Sequence, residues 1–326
     1  MNFAKQLGAV CLVLSIIACS FCPAVNAQDG GASKVLNEAQ EAYSKVWRLV
    51  NDSYLDRTFG GQDWSGWEHK FDGQLKTSDD EFNAVKTMLD SLHDPYTRGL
   101  HLLQQQSSVA VSTTFEGESS SISSKFLSEN LGYIKIQNFL SSNCARDFKT
   151  CLKQMKSADA IVLDLRGNQG GLVSSALQIA DMLCPGAETL VSTESRDGRQ
   201  EFTSSGNQLS NQSLVVLVDE HTASASEILT AALQDNHRAV IIGSKTFGKG
   251  VVQEETFLSG MAVRITVSKY LTPSGSDINK VGIVPDLVVN PQDAAAEAVQ
   301  YFADKFPAHV CVERSSRRAA SHAHHS

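Results

Sequence analysis

The chain has 326 residues, 42% hydrophobic and 20% charged with only 7 prolines, which excludes a collagen-like or broadly disordered protein and allows one or two domains with a sizeable core. Its 28 basic against 36 acidic residues leave a net charge of −8 with no basic block of the kind that grips a phosphate backbone, so nucleic-acid binding is not expected. In chain order, residues 1–27 read as a secretory signal: Lys5, an apolar run from Leu7 to Phe21, then Val25-Asn26-Ala27 in the small-x-small form that a signal peptidase cuts. The run is about 15 residues, short of the ~20 that span a bilayer. Ile16-Ile17-Ala18-Cys19 also resembles a lipoprotein box, so membrane association through a lipidated Cys19 is the alternative to a soluble exported form. Either way the expected location is the periplasm or an equivalent lumen, or the exterior.

Residues 28–100 read as an N-terminal helical region. Val35, Leu36, Ala39, Tyr43, Val46, Trp47 and Val50 recur at helical spacing, and a second helix is predicted over 79–92, stopped at Asp94-Pro95. Residues 101–131, rich in Ser and Gln, read as an irregular or weakly stranded linker too short for a domain. From 132 the pattern alternates: strands at 132–136, 158–165, 213–218 and 239–243, helices at 144–155, 172–183 and 224–233. That order predicts an α/β fold with a mostly parallel sheet flanked by helices. Runs VVQEETF, AVRITVSKY and GIVPDLVV, without intervening helices, predict an antiparallel extension. A helix over 291–306 closes a core spanning 132–312, and 313–326 reads as a disordered, His-bearing tail. Beyond the leader stand Cys144, Cys151, Cys184 and Cys311. Cys144 and Cys151 lie about 10 Å apart along one predicted helix, too far to bridge. Buried thiols or one structural disulfide are expected, with no metal site.

Open α/β sheets place their chemistry beyond the carboxyl ends of the strands. The segment 164–171 (DLRGNQGG) leaves one strand for a helix, and reads as a tight turn or an oxyanion cradle. The segment 219–227 (DEHTASASE) leaves another; Thr222, Ser224 or Ser226 can cap the helix, or one serine can be a nucleophile with His221 as a nearby base. GSKTFGKG at 243–250 nearly matches a phosphate-binding loop, but Gly250 replaces the required hydroxyl and a strand follows where a helix is needed, so no nucleotide partner is expected.

Taken together, DPYTRGL (94–100), GYIKI (132–136), IVLDLRGNQGG (161–171), VVLVDEHTASASEILTAALQD (215–235), GSKTFGKGVVQ (243–253) and YLTPSGSDINKVGIVPDL (270–287) resemble, in order, the carboxyl-terminal processing proteases, the S41 serine peptidases. The resemblance implies a ClpP/crotonase-like core, a Ser224 nucleophile, a Lys249 general base, Gln253 orienting that lysine, and oxyanion donors on the Gly170 and Ala225 backbones. It also implies protein or peptide substrates and no cofactor. Ser226 and Lys245 become neighbours without a catalytic role. A lysine is protonated at neutral pH unless burial, expected beside Phe247 and Val251, lowers its pKa. Relatives usually carry a PDZ domain before the GYIKI strand; here the linker 101–131 occupies that interval, so the domain is expected to be missing. Substrate is expected to lie extended beside a sheet edge. A non-catalytic protein binding peptide or hydrophobic ligand on the same fold is the alternative, and the retention of Ser224, Lys249 and Gln253 argues against it.

Overall fold

A computed structural model of the protein describes residues 31–101 and 121–305, with side chains from residue 38 onward. The leader, Cys19, Cys311 and the tail from 313 lie outside the described residues.

The predicted α/β core is present. A six-stranded sheet has the order β11-β8-β7-β4-β3-β2, built from β2 (Ile122–Ser128), β3 (Leu131–Ile136), β4 (Ala160–Asp164), β7 (Ser213–Val218), β8 (Val240–Gly243) and β11 (Leu287–Val288). It is parallel except for the β2–β3 pair. The central strands are buried on both faces, which is why they read as continuous apolar runs such as SLVVLV. Helices α3 (Cys144–Gln154), α4 (Val173–Leu183) and α5 (Ala225–Asp235) join one core with Ile161, Leu163, Val216 and Ile241. On the other face Val162, Val215, Leu217 and Ile242 pack with Ala298 and Phe302 of α6 (Ala294–Lys305).

The predicted antiparallel extension forms a second sheet of five strands. The long β10 (Met261–Leu271) pairs with β9 (Val251–Leu258) along one side, and with β1 (Arg98–His101) and β5 (Thr189–Ser195) along the other; β6 (Gly198–Thr203) completes a hairpin with β5. Alternation along β10 puts Met261, Val263 and Ile265 under α1 (Gly31–Ser53) and α2 (Ser78–Asp90), in one cluster with Tyr43, Val46, Val85 and Met88. Arg264 and Thr266 take the opposite face.

Three expectations change. Residues 122–128, inside the predicted linker, form β2, whose Ile122 alone is buried; with its other side chains mostly solvated the strand leaves almost no apolar signal. GIVPDLVV contributes only the two residues of β11, and these pair in parallel with β8, not in the antiparallel sheet. The β5–β6 hairpin and β1 went unpredicted because β6 buries only Phe202 and β1 is four residues long. Cys144, Cys151 and Cys184 are buried free thiols, the first two on α3 where their spacing forbids a bond. Among the described residues no helix is long and apolar enough to cross a membrane.

Candidate active site

Three loops converge beyond the carboxyl ends of β4, β7 and β8: 165–172, 219–224 and 244–250. Asp219 ties the first two, its Oδ1 accepting from the Gly167 N–H at 2.9 Å and the His221 N–H at 3.1 Å. Asn168, fully buried, ties them again. Its carbonyl accepts from the Ala223 N–H and the Ser226 hydroxyl, both at 3.0 Å, and its side-chain amide donates to the Ile136 carbonyl at 3.0 Å. Ser226 is thus a buried structural residue.

Ser224 stands at the junction of loop and helix, half-buried, with φ 59° and ψ −120°. A non-glycine residue held there costs about 1–3 kcal/mol, and such strain persists only where surrounding bonds over-determine it. The restraint is Glu227, one turn into α5 and fully buried. Its Oε2 accepts from the Ser224 N–H at 2.9 Å and the Lys249 N–H at 2.8 Å. Its Oε1 accepts from the Thr246 hydroxyl at 2.6 Å and the Gly248 N–H at 2.7 Å. One carboxylate therefore holds the backbones of the predicted nucleophile and the predicted base on a single oxygen atom.

The Lys249 side chain is half-buried. Burial pushes its pKa below the ordinary lysine value, and the nearby Arg264 and Arg98 guanidiniums push it the same way. The apolar wall is not the one expected. Phe247 is 58% exposed and faces away into solvent; Tyr96, from the turn before β1, instead places its ring 6.0 Å from Lys249 Nζ. Among the described residues no hydrogen bond joins the Ser224 hydroxyl, the Lys249 amine and the Gln253 side chain, and Gln253 Nε2 is buried without a partner. His221 is 67% exposed in its side chain and approaches only Glu220, at 4.0 Å.

The two backbone N–H groups implied as oxyanion donors differ in their surroundings. Ala225 begins α5, so its N–H has no intrahelical acceptor and lies next to Ser224. The Gly170 N–H, by contrast, is not free here: it donates to Asn168 Oδ1 at 2.9 Å. Gly170 still defines the space at the nucleophile. Its φ is +96°, and a Cβ there would meet the Ala223 carbonyl oxygen at 2.7 Å and Ser224 Cβ at 2.9 Å. Gly170→Ala should therefore lower kcat/KM by about 10²-fold or more and destabilise the fold by about 1–3 kcal/mol, read from peptide hydrolysis and thermal unfolding.

Behind the loops Asp164 is completely buried. Burial opposes its charge, but the Arg166 guanidinium and the Tyr133 hydroxyl outweigh it and hold the carboxyl below the usual aspartate value. Arg166 is bidentate on it, at 3.0 and 2.6 Å, and reaches the Pro291 carbonyl at 2.5 Å, anchoring the approach to α6. Glu227, Asn168, Tyr96 and the Asp164–Arg166 pair were not among the predicted site residues. Glu227 carried a local signal, the S-x-x-E pattern of a helix capping box, while Asp164, Arg166, Asn168 and Tyr96 lay inside motifs singled out as wholes, without roles of their own.

Residues 130–289 match the profile of Peptidase family S41. A carboxyl-terminal-processing protease of Synechocystis is 32% identical over 77% of this chain and 81% of the relative. Another from Picosynechococcus is 32% identical over 90% of this chain and 92% of the relative. The chain belongs to peptidase family S41. Its fold is also that of a solved photosystem II D1 C-terminal processing protease, at a TM-score of 0.70 with 24% identity over 78% of this chain and 94% of that one. The Picosynechococcus alignment extends over 392 positions, more than the 326 residues present here, so this S41 relative carries stretches without a counterpart in the chain.

Proposed function

We propose that this S41 peptidase is an exported endopeptidase that cuts unfolded or C-terminal segments of proteins with a Ser224–Lys249 dyad. The observation that carries the reading is the shared Glu227 oxygen, which brings the two residues' backbones together from different loops while Lys249 is depressed in basicity. In acylation Ser224 Oγ attacks the peptide carbonyl carbon and its proton passes to Lys249 Nζ. The tetrahedral intermediate then expels the amine, which leaves with the proton from Lys249. Water repeats the sequence on the acyl-enzyme, again giving its proton to Lys249. The Ala225 N–H faces the developing oxyanion, and the Gly170 N–H joins it on release from Asn168; catalytic hydrogen bonds commonly tighten only with substrate in place. Gln253, one strand residue beyond the buried Val252, orients the lysine. A cavity of about 280 Å³ between α4 and the second sheet, lined by Val173, Phe202, Val252 and Tyr270 together with Arg196 and Glu254, takes no residue from the three loops, so substrate side chains are not assigned to it.

Export rests on the leader read at residues 1–27, and an organellar relative from Arabidopsis, a chloroplastic carboxyl-terminal-processing peptidase, is 45% identical over 48% of this chain. In this reading the interval 101–131 holds no PDZ domain, and tail selection falls to the core itself. A mass-spectrometric map of cuts in a denatured protein tests the proposal: the mature chain should yield cuts that Ser224→Ala does not. Identical maps, or none from either, would leave the non-catalytic binding reading in its place.

A further inference from the structure

The antiparallel register puts Thr266 of β10 directly opposite Gln253 of β9. The backbone of Thr266 turns away from β9: its N–H donates to the Thr97 hydroxyl at 3.0 Å, and its carbonyl accepts from the Leu55 N–H at 2.9 Å. Thr266 and Gln253 are therefore a non-hydrogen-bonded pair, the kind whose Cα atoms stand about 4.5 Å apart and whose side chains come closest. Two positions along the same face, Arg264 and Glu255 are opposed in the same way, and there the side chains meet in an ion pair.

At the Thr266–Gln253 pair two complementary groups lie side by side and bond nothing. Thr266 is only 5% exposed, and its Oγ1 is buried without a hydrogen-bond partner among the described residues; Gln253 Nε2 is in the same position. A buried polar atom without a partner is destabilising, and a hydroxyl can accept what a side-chain amide donates. Gln253 Oε1 makes no hydrogen bond either, but it is not buried, so the amide has its donor end inside the protein and its acceptor end in open space. The turn before β1 links this pair to the base. Thr97, which holds the Thr266 N–H, donates its own hydroxyl to Asp94 at 2.7 Å, and its chain neighbour Tyr96 places its ring 6.0 Å from Lys249 Nζ.

We propose that Thr266 is a positioning residue for the base: its hydroxyl accepts from Gln253 Nε2, which leaves Oε1 turned toward the Lys249 amine. Side-chain rotation alone makes this bond, since the strands already hold the two residues at the spacing it needs. The inference rests on the reading in which Gln253 orients Lys249.

The test compares Thr266→Val, which keeps the volume and loses the hydroxyl, with Thr266→Ser, which keeps the hydroxyl. Both retain the backbone bonds to Thr97 and Leu55. In peptide hydrolysis Thr266→Val should lower kcat about tenfold with KM within about twofold, and Thr266→Ser should stay within about threefold of the unaltered protein. In a Gln253→Ala background Thr266→Val should cost nothing further. NMR of the glutamine side-chain amides, with Gln253 assigned by its loss in Gln253→Ala, reads the bond without turnover. The Gln253 amide protons should exchange with water at least about tenfold faster in Thr266→Val than in the unaltered protein or Thr266→Ser. An unchanged amide signal in Thr266→Val would overturn the inference, whatever happened to the rate. So would an unchanged kcat in an active enzyme, or an equal loss with and without Gln253. Absence of cleavage by the unaltered protein would fail the peptidase reading, while the amide exchange would still decide whether Thr266 holds Gln253.

Discussion

Lys249→Ala should lower kcat/KM by about 10³-fold or more while leaving the fold intact, since the side chain is only half-buried and its backbone N–H keeps its bond to Glu227. Lys249→Arg should not rescue activity, because a guanidinium stays protonated and cannot act as the base. The pH dependence has a definite sign. Lys249 accepts a proton only when uncharged, so the rate should rise with pH through its pKa. That rise should come below the ordinary lysine range, because burial, Arg264 and Arg98 all depress the value. His221→Ala should change kcat/KM by less than about twofold, since its ring is exposed and contacts only Glu220. A large loss with His221→Ala and a small one with Lys249→Ala would assign the base to the histidine instead.

The second large effect is expected at Glu227. Its carboxylate accepts four donors inside the protein: the Ser224, Gly248 and Lys249 N–H groups and the Thr246 hydroxyl. Glu227→Ala strands all four and removes the restraint on a strained Ser224. A loss of at least about 3 kcal/mol in unfolding free energy is expected, with activity falling even where the protein remains folded. Glu227→Gln separates the two roles. The amide keeps the volume but turns a donor toward two of the four N–H and O–H groups, so kcat should fall by about 10²-fold with a smaller loss of stability. Chemical denaturation and single-turnover kinetics on the same preparations measure both. Unchanged kcat in Glu227→Gln would show that the carboxylate serves the fold alone.

Much of the core was legible because each buried parallel strand is a continuous apolar run and each helix has a stripe. Ser213–Val218 matches its predicted bounds, and the predicted helix over 172–183 is Val173–Leu183. Elements that bury little were not legible: β2 shows Ile122 to the core and β6 only Phe202. In the site, the residues alone left Thr222, Ser224 and Ser226 open, and Ser224 and Lys249 could be singled out only through the resemblance. The Glu227 clamp could not, since its four donors come from Ser224 and from a loop some twenty positions downstream, and hydrogen bonds of that span have no periodicity. Nor could the Tyr96 wall, which arises only when β1 pairs with β10 and brings the turn at 94–97 beside Lys249. Phe247 misled for the opposite reason: its neighbour in sequence is buried, but the chain turns it outward.

The span matched by the family profile, 130–289, begins after Tyr96, Thr97 and Arg98. Yet Thr97 bonds the Thr266 N–H at 3.0 Å from its hydroxyl, and α1 and α2 cover Met261, Val263 and Ile265. The peptidase segment is thus not a portable module. Anyone transplanting it onto another scaffold, or trimming the chain toward a minimal enzyme, must bring the helical forepart along, because residues 31–98 supply both the roof of the second sheet and the aromatic ring beside Lys249.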